Sequence, residues 1–298
     1  FPRVGEPPAF VKQRIDSYRL LDFKPQLNTA SYVNVVAEPE ETEIARDGLA
    51  INIADQTIYP GSFQMHNDCL NLVADLWHCP RDEAAPAGEK YVAPGACTVG
   101  STEACLLAGL ALKFRWRAWF AARHGKTKAQ VRREYPNLVI STLYQAAWEK
   151  LFKYCDVEPR FVPCTRGSFQ IDPAKVADAV DEHTIGVVCI LGNHYSGHFD
   201  DVLAVSKVVD GLNQRNGWQL GIHVDAASGG FCAPFQSPQP LWDFRIPSVL
   251  SVSASGHKFG LSCCGTGWVV WRQRRNLSEH VAISVSYLGG NADSYTLN

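Results

Sequence analysis

From about residue 137 onward, short apolar runs alternate with stretches whose hydrophobic residues recur at helical spacing. Residues 137–142, 160–163, 185–191, 218–224, 249–253 and 267–271 carry the strand pattern, and 145–154, 174–181 and about 201–214 the helical one. Asp172 and Pro173 supply a cap and a first turn for the middle helix. An earlier helical pattern, from about Thr102 to His124, stops at Gly125. Strands in alternation with helices predict an α/β fold whose central sheet is mainly parallel and covered on both faces. The longest apolar runs, such as 185–191, have the length of a strand and are too short to cross a bilayer.

One side chain stands out against this pattern. The apolar run 249–253 leads into Ser255-Gly256-His257-Lys258-Phe259-Gly260, which delivers a lysine at the mouth of a buried strand. An ammonium there is costly to desolvate unless it is paired or chemically used. One such use is a Schiff base with pyridoxal 5'-phosphate. That chemistry needs an acid to hold the pyridine nitrogen protonated, a helix N-terminus for the phosphate and a flat group against the ring. Asp225 is the candidate acid, where an apolar strand runs into Ala226-Ala227-Ser228-Gly229, and its two alanines are small enough for a ring to lie against. Ser101 and Thr102 open the long helical pattern and are the candidate phosphate end, with free backbone N–H groups and two hydroxyls. Taken singly, these are a solvated lysine, a turn acid and a helix cap; it is their combination that carries the chemistry.

In chain order, NLVADLWH, GSTEACLLAGLALK, HVDAASGGF and SASGHKFGL resemble the signature segments of glutamate decarboxylases, pyridoxal-phosphate lyases that make γ-aminobutyrate from glutamate. The likeness is collinear from about Leu27 to Tyr295. It implies an aspartate-aminotransferase-like large domain (fold type I), with the last strand antiparallel and the C-terminal small domain of the relatives missing. Lys258 would bond the cofactor's aldehyde carbon and Asp225 would pair with the pyridinium. Ser101 and Thr102 would bind phosphate, Gln145 and Ala227 would lie on the two ring faces, and Ser255 and His257 would position the phosphate or the lysine. The implied reaction is decarboxylation of L-glutamate by a homodimer whose subunits complete each other's sites, with residues 1–54 at the interface and 55–298 forming the cofactor-binding domain.

Departures from the family pattern bear on the substrate. Ser31, followed by Tyr32, stands where relatives place a hydroxyl that touches the distal carboxylate. His66 stands where relatives carry aspartate or glutamine, and its partial charge near neutral pH could suit an anionic side chain or be mere surface. His194 replaces a threonine near the cofactor. Decarboxylation of another amino acid therefore stays open, as does a truncated relative that binds the cofactor or a partner and turns over little glutamate. The arginine that meets the α-carboxylate in relatives has no match here, and Arg272, Arg274 and Arg275 read as a solvated turn.

Composition adds bounds. With 298 residues, 46% hydrophobic and 19% charged, the chain can bury a large core in one or two domains. A net charge of -2 without a basic run argues against a nucleic-acid partner. The 10 cysteines are dispersed without framework spacing and read as reduced thiols of a cytoplasmic protein. Cys263 and Cys264, taken as strand neighbours, would point to opposite faces, and neither HExxH nor CxxC occurs, so no metal is expected.

Overall fold

The computed structural model describes residues 4–27, 29, 36–81, 90–284 and 293–294. Three helices, α1 (Pro8–Arg19), α2 (Pro39–Gly48) and α3 (Pro60–Leu76), precede the first strand. β1 (Gly95–Val99) then runs directly into α4 (Gly100–His124), which is followed by the short α5 (Lys128–Val131). Strands and helices alternate from there: β2 (Asn137–Ser141), α6 (Ala146–Tyr154), β3 (Glu158–Val162), α7 (Pro173–Ala179), β4 (Thr184–Ile190), α8 (Val202–Asn216) and β5 (Ile222–Asp225). β6 (Val249–Ser255), β7 (Thr266–Trp271) and the short α9 (Arg274–Leu277) complete the domain.

Strands β1 to β7 form one sheet in the order β1-β7-β6-β5-β4-β2-β3, and Ile283–Ser284 pairs separately with Asp293–Ser294. Strands β2 to β6 are mutually parallel, whereas β7 is antiparallel to both β6 and β1. Two reversals restore direction, so β1, β2, β5 and β6 all end on one edge of the sheet. Side chains of successive strand residues point to opposite faces. Accordingly Leu138, Ile140, Val188 and Ile190 pack with Trp116, Trp148 and Leu151 of α4 and α6, while Val139, Val187, Cys189 and Val224 pack with Val176, Val205 and Val209 of α7 and α8. Every residue of β4 is buried, as a central strand covered on both faces requires. Asp172 and Asp201 cap α7 and α8 by accepting from Ala174 and Ala204 N–H, and Gly125 and Gly217 close α4 and α8 in the left-handed conformation at φ 60° and 66°.

Several sequence expectations need correction. The strand expected over 218–224 begins only at Ile222, because the Asn213 amide takes both the N–H and the carbonyl of Leu220 (2.8 and 3.0 Å). β1 lies where only a phosphate turn was expected. Cys263 and Cys264 are not on a strand but in the turn before β7, where the Cys263 thiol donates to Glu41 of α2 (3.4 Å). Arg272 is not part of a solvated turn: its guanidinium donates to the carbonyls of Val249 (2.9 Å), Ile246 (2.6 Å) and Phe244, tying β7 to the segment before β6. Helices α1 and α2 bury none of their residues. No helix among the described residues is long and apolar enough to cross a membrane.

On β5, His223 is fully buried, with Nδ1 2.8 Å from the Ser251 hydroxyl and Nε2 3.0 Å from that of Ser253. Burial pushes its pKa down to about 3. An unfolded chain protonates this histidine near pH 6.5, whereas the folded protein refuses the proton until about pH 3, so its contribution to stability is lost as pH falls through that window. At roughly 1.4 kcal/mol per unit the term amounts to several kcal/mol. Urea midpoints measured from neutral pH down to pH 4 should therefore fall less steeply in His223→Asn than in the wild type; parallel slopes would contradict this assignment.

Candidate active site

Asp225 is the last residue of β5 and pairs in register with Ser253 of β6. Its carboxylate is buried and held on both oxygens: Oδ2 accepts from the Trp148 indole N–H (2.8 Å) and Oδ1 from the Ala227 N–H (3.2 Å). Lys258 follows the end of β6 and is 8% exposed. Burial lowers its pKa, while the fields of Asp225 and Cys105 oppose the shift. An amine whose pKa burial lowers thus lies near an acid at adjacent strand ends, where open α/β sheets place ligands. The Ser255 N–H donates to the Ala227 carbonyl (3.2 Å), joining the lysine turn to the turn that follows Asp225.

The third component comes from the start of α4. Gly100 connects β1 to α4 at φ 69°, and its N–H donates to the Gly265 carbonyl (2.6 Å). Gly267 lies so close that a Cβ there would stand 2.3 Å from the Gly100 carbonyl carbon, so a side chain at this position would force the lysine hairpin off the helix. His257 Nδ1–H donates to the Thr266 carbonyl (2.9 Å), and its ring carbon Cε1 is 3.8 Å from where a Gly100 Cβ would lie. That bond settles the tautomer and leaves Nε2 as the imidazole's second functional atom. Ser101 and Thr102, both half-buried, occupy the first turn, where a helix leaves N–H groups without intrahelical partners. Glu103 fastens the turn by accepting from the Val99 N–H (2.6 Å).

These residues fit pyridoxal phosphate on their own chemistry. The hydroxyls of Ser255 and Ser262, flanking Lys258, are buried without a hydrogen-bond partner, a costly state that a polar ligand relieves. With them stand a buried amine of lowered pKa, a buried acid at the adjacent strand end, and a helix start suited to a phosphate dianion.

The other sequence candidates are placed as follows. Gln145 is the half-buried N-cap of α6, beyond the end of β2, and its side chain makes no capping bond. Ala227 is half-buried beside Asp225. His194 lies in the loop after β4 with its ring edge-on to Tyr195 (5.3 Å between centroids). Ser31 and Tyr32 fall outside the described residues. His66 requires a correction. Its Nε2 accepts the Cys97 N–H of β1 (3.1 Å), its ring stacks between Phe63 and Trp268, and burial lowers its pKa, so it is a neutral anchor of α3 on β1 and offers no positive charge to an anion. Sequence reasoning missed Trp148 and the layer formed by His223, Ser251 and Ser253. One signal was available: His223 and Asp225 sit two apart on a strand and so share a face.

Comparison with known proteins agrees with this geometry. Residues 24–297 match the model of the pyridoxal-dependent decarboxylase conserved domain. The chain is 40% identical over 291 residues to a glutamate decarboxylase of Lactococcus lactis subsp. cremoris, covering 98% of this chain and 60% of that protein. It is 39% identical over 298 residues to one of Solanum lycopersicum, covering 100% and 57%. The solved glutamate decarboxylase of Lactobacillus brevis superposes with a TM-score of 0.89 at 38% identity, over 100% of this chain and 65% of that one. A sphingosine-1-phosphate lyase of Burkholderia pseudomallei, at 23% identity and a TM-score of 0.78, shares the fold. This chain spans about 60% of the length of the curated relatives it matches. A family match over nearly the whole chain, together with a fold-type I sheet carrying a lysine and an acid on adjacent strand ends, makes this protein a member of the pyridoxal-dependent decarboxylase family.

Proposed function

We propose that the protein decarboxylates L-glutamate to γ-aminobutyrate and carbon dioxide with pyridoxal 5'-phosphate. The observation that carries this reading is the buried Lys258 amine beside the buried Asp225 carboxylate, in a chain whose relatives at about 40% identity bear the name glutamate decarboxylase. When bound, pyridoxal phosphate supplies an electron-accepting ring for the pair left by departing carbon dioxide. Lys258 would hold it covalently through Nζ, whose proton burial makes easy to lose. Asp225 would accept the ring N–H. The start of α4 with Ser101, Thr102 and His257 would take the phosphate, Ser255 would donate its unpartnered hydroxyl, and Gln145 and Ala227 would lie on the two ring faces. On the substrate side, Ser31, Tyr32 and His194 are proposed contacts on the strength of the resemblance, and His66 is not.

The same reading includes a homodimer. Val11, Ile15 and Tyr18 recur at helical spacing on α1 and are 42%, 45% and 69% exposed, an apolar face without cover among the described residues. A second copy of the chain is the proposed cover. In sedimentation velocity the protein should run as a dimer or higher oligomer, and Ile15→Asp with Tyr18→Asp should shift it toward monomer; an unchanged distribution in the double variant would remove α1 from the interface.

Carboxyl-labelled glutamate incubated with the cofactor-loaded protein should release labelled carbon dioxide. Lys258→Ala should reduce release by orders of magnitude and abolish the visible absorption of the bound cofactor, with the far-ultraviolet circular dichroism unchanged. Release from a different amino acid but not from glutamate would overturn the substrate, and a visible band retained in Lys258→Ala would overturn the lysine.

A further inference from the structure

We infer that Trp148 is a positioning residue for Asp225, its indole N–H fixing the carboxylate and keeping it anionic against the ring nitrogen of the cofactor. The inference rests on the reading that Asp225 pairs with that nitrogen. Trp148 Nε1 lies 2.8 Å from Asp225 Oδ2, shorter than the 3.2 Å between the Ala227 nitrogen and Oδ1. The indole is fully buried and packs with Leu138, Ile140 and Leu151 between α6 and the sheet, so the donor is held in place before any ligand arrives. A hydrogen bond to a charged group in such surroundings is worth about twice one between neutral groups.

The neighbourhood explains why the donor is an indole. The His223 ring stands 5.3 Å from that of Trp148 on the same face of β5, and both its nitrogens are engaged by Ser251 and Ser253. It stays neutral and brings no positive charge to Asp225. Cys105, a further polar group against the acid, is a fully buried thiol whose pKa burial pushes well up, so it adds no negative charge. Asp225 thereby has neutral groups at His223 and Cys105, and among the described residues Lys258 is the ionisable amine whose field reaches it. Indole has a donor and no acceptor, so Trp148 favours the ionised acid over the protonated one. Without the N–H, the proton affinity of Asp225 rises and the proton shared with the ring nitrogen moves toward the carboxylate.

The test separates positioning from packing. Trp148 is replaced by benzothienylalanine, which keeps the bicyclic shape and lacks the N–H, and Trp148→Phe is prepared beside it. Ring-nitrogen protonation is read from the 15N shift of labelled pyridoxal phosphate across pH, and the cofactor dissociation constant is measured on the same proteins. Loss of a hydrogen bond to a charged group should weaken cofactor binding roughly tenfold to a hundredfold in the benzothienyl protein. Its ring nitrogen should also carry a smaller share of the proton than in the wild type on the acid side of the titration, while the thermal midpoint stays near the wild-type value. If the benzothienyl protein folds and titrates as the wild type does, the role of Trp148 is refuted, whatever Trp148→Phe does to stability. Asp225→Asn is the reference: an unchanged nitrogen titration there would refute the pairing of Asp225 with the ring, whereas a changed titration there with none in the benzothienyl protein refutes only the inference about Trp148.

Discussion

A carboxylate and an amine are kept from water at the ends of two neighbouring strands, and much of the surrounding structure makes that tolerable. Each charge alone would cost several kcal/mol in so dry a place. Asp225 is compensated by the Trp148 and Ala227 N–H groups. Lys258 is not compensated to the same degree, and its lowered pKa is the outcome. The imbalance suits the chemistry of the family, because an amine of lowered pKa is the better nucleophile and a carboxylate held by two N–H donors is a fixed ion-pair partner. Among the described residues no protein group meets the Ser255 and Ser262 hydroxyls, which leaves them available to a polar ligand.

The antiparallel β7 does the geometric part of this arrangement. Inserted between β6 and β1, it brings the start of α4 to the same sheet edge as Asp225 and Lys258. Its close approach depends on Gly267 lying against the Gly100 carbonyl. Arg272 secures the other end of the strand through the carbonyls of Val249 and Ile246 (2.9 and 2.6 Å). The lysine hairpin is thus fixed at both ends before a ligand is considered, and a fixed hairpin is what a covalent anchor for a rigid ring demands.

Elements whose evidence is local were legible in the sequence. The parallel strands, α4 and α6 to α8 announce themselves by periodicity, and Lys258 and Asp225 stand out because ionisable residues at the ends of apolar runs are rarely idle. What escaped detection depends on partners far along the chain. β1 opens on Gly95 and Ala96, weak strand formers, and is only five residues long, so it forms because β7 supplies its ladder. Arg272 looks like part of a basic turn until the carbonyls before β6 are seen to converge on it. Trp148 reads as one more apolar position of an amphipathic helix, since nothing nearby in sequence says that its N–H meets an acid on another element. Periodicity reports which face is buried and is silent on which polar atom a buried side chain satisfies.

His66 shows the same limit in a residue that bears on specificity. In sequence a histidine reads as a charge near neutral pH; in the structure its Nε2 is taken by the Cys97 N–H and burial holds it neutral. Under the glutamate reading, a contact to the distal carboxylate from this position would have to do without a cation on α3. What His66 contributes is position: its bond to the Cys97 N–H and its stacking on Phe63 and Trp268 fix α3 against β1, the strand that runs directly into α4, so the residue that looked like a ligand contact acts through packing on the element that opens the candidate phosphate turn.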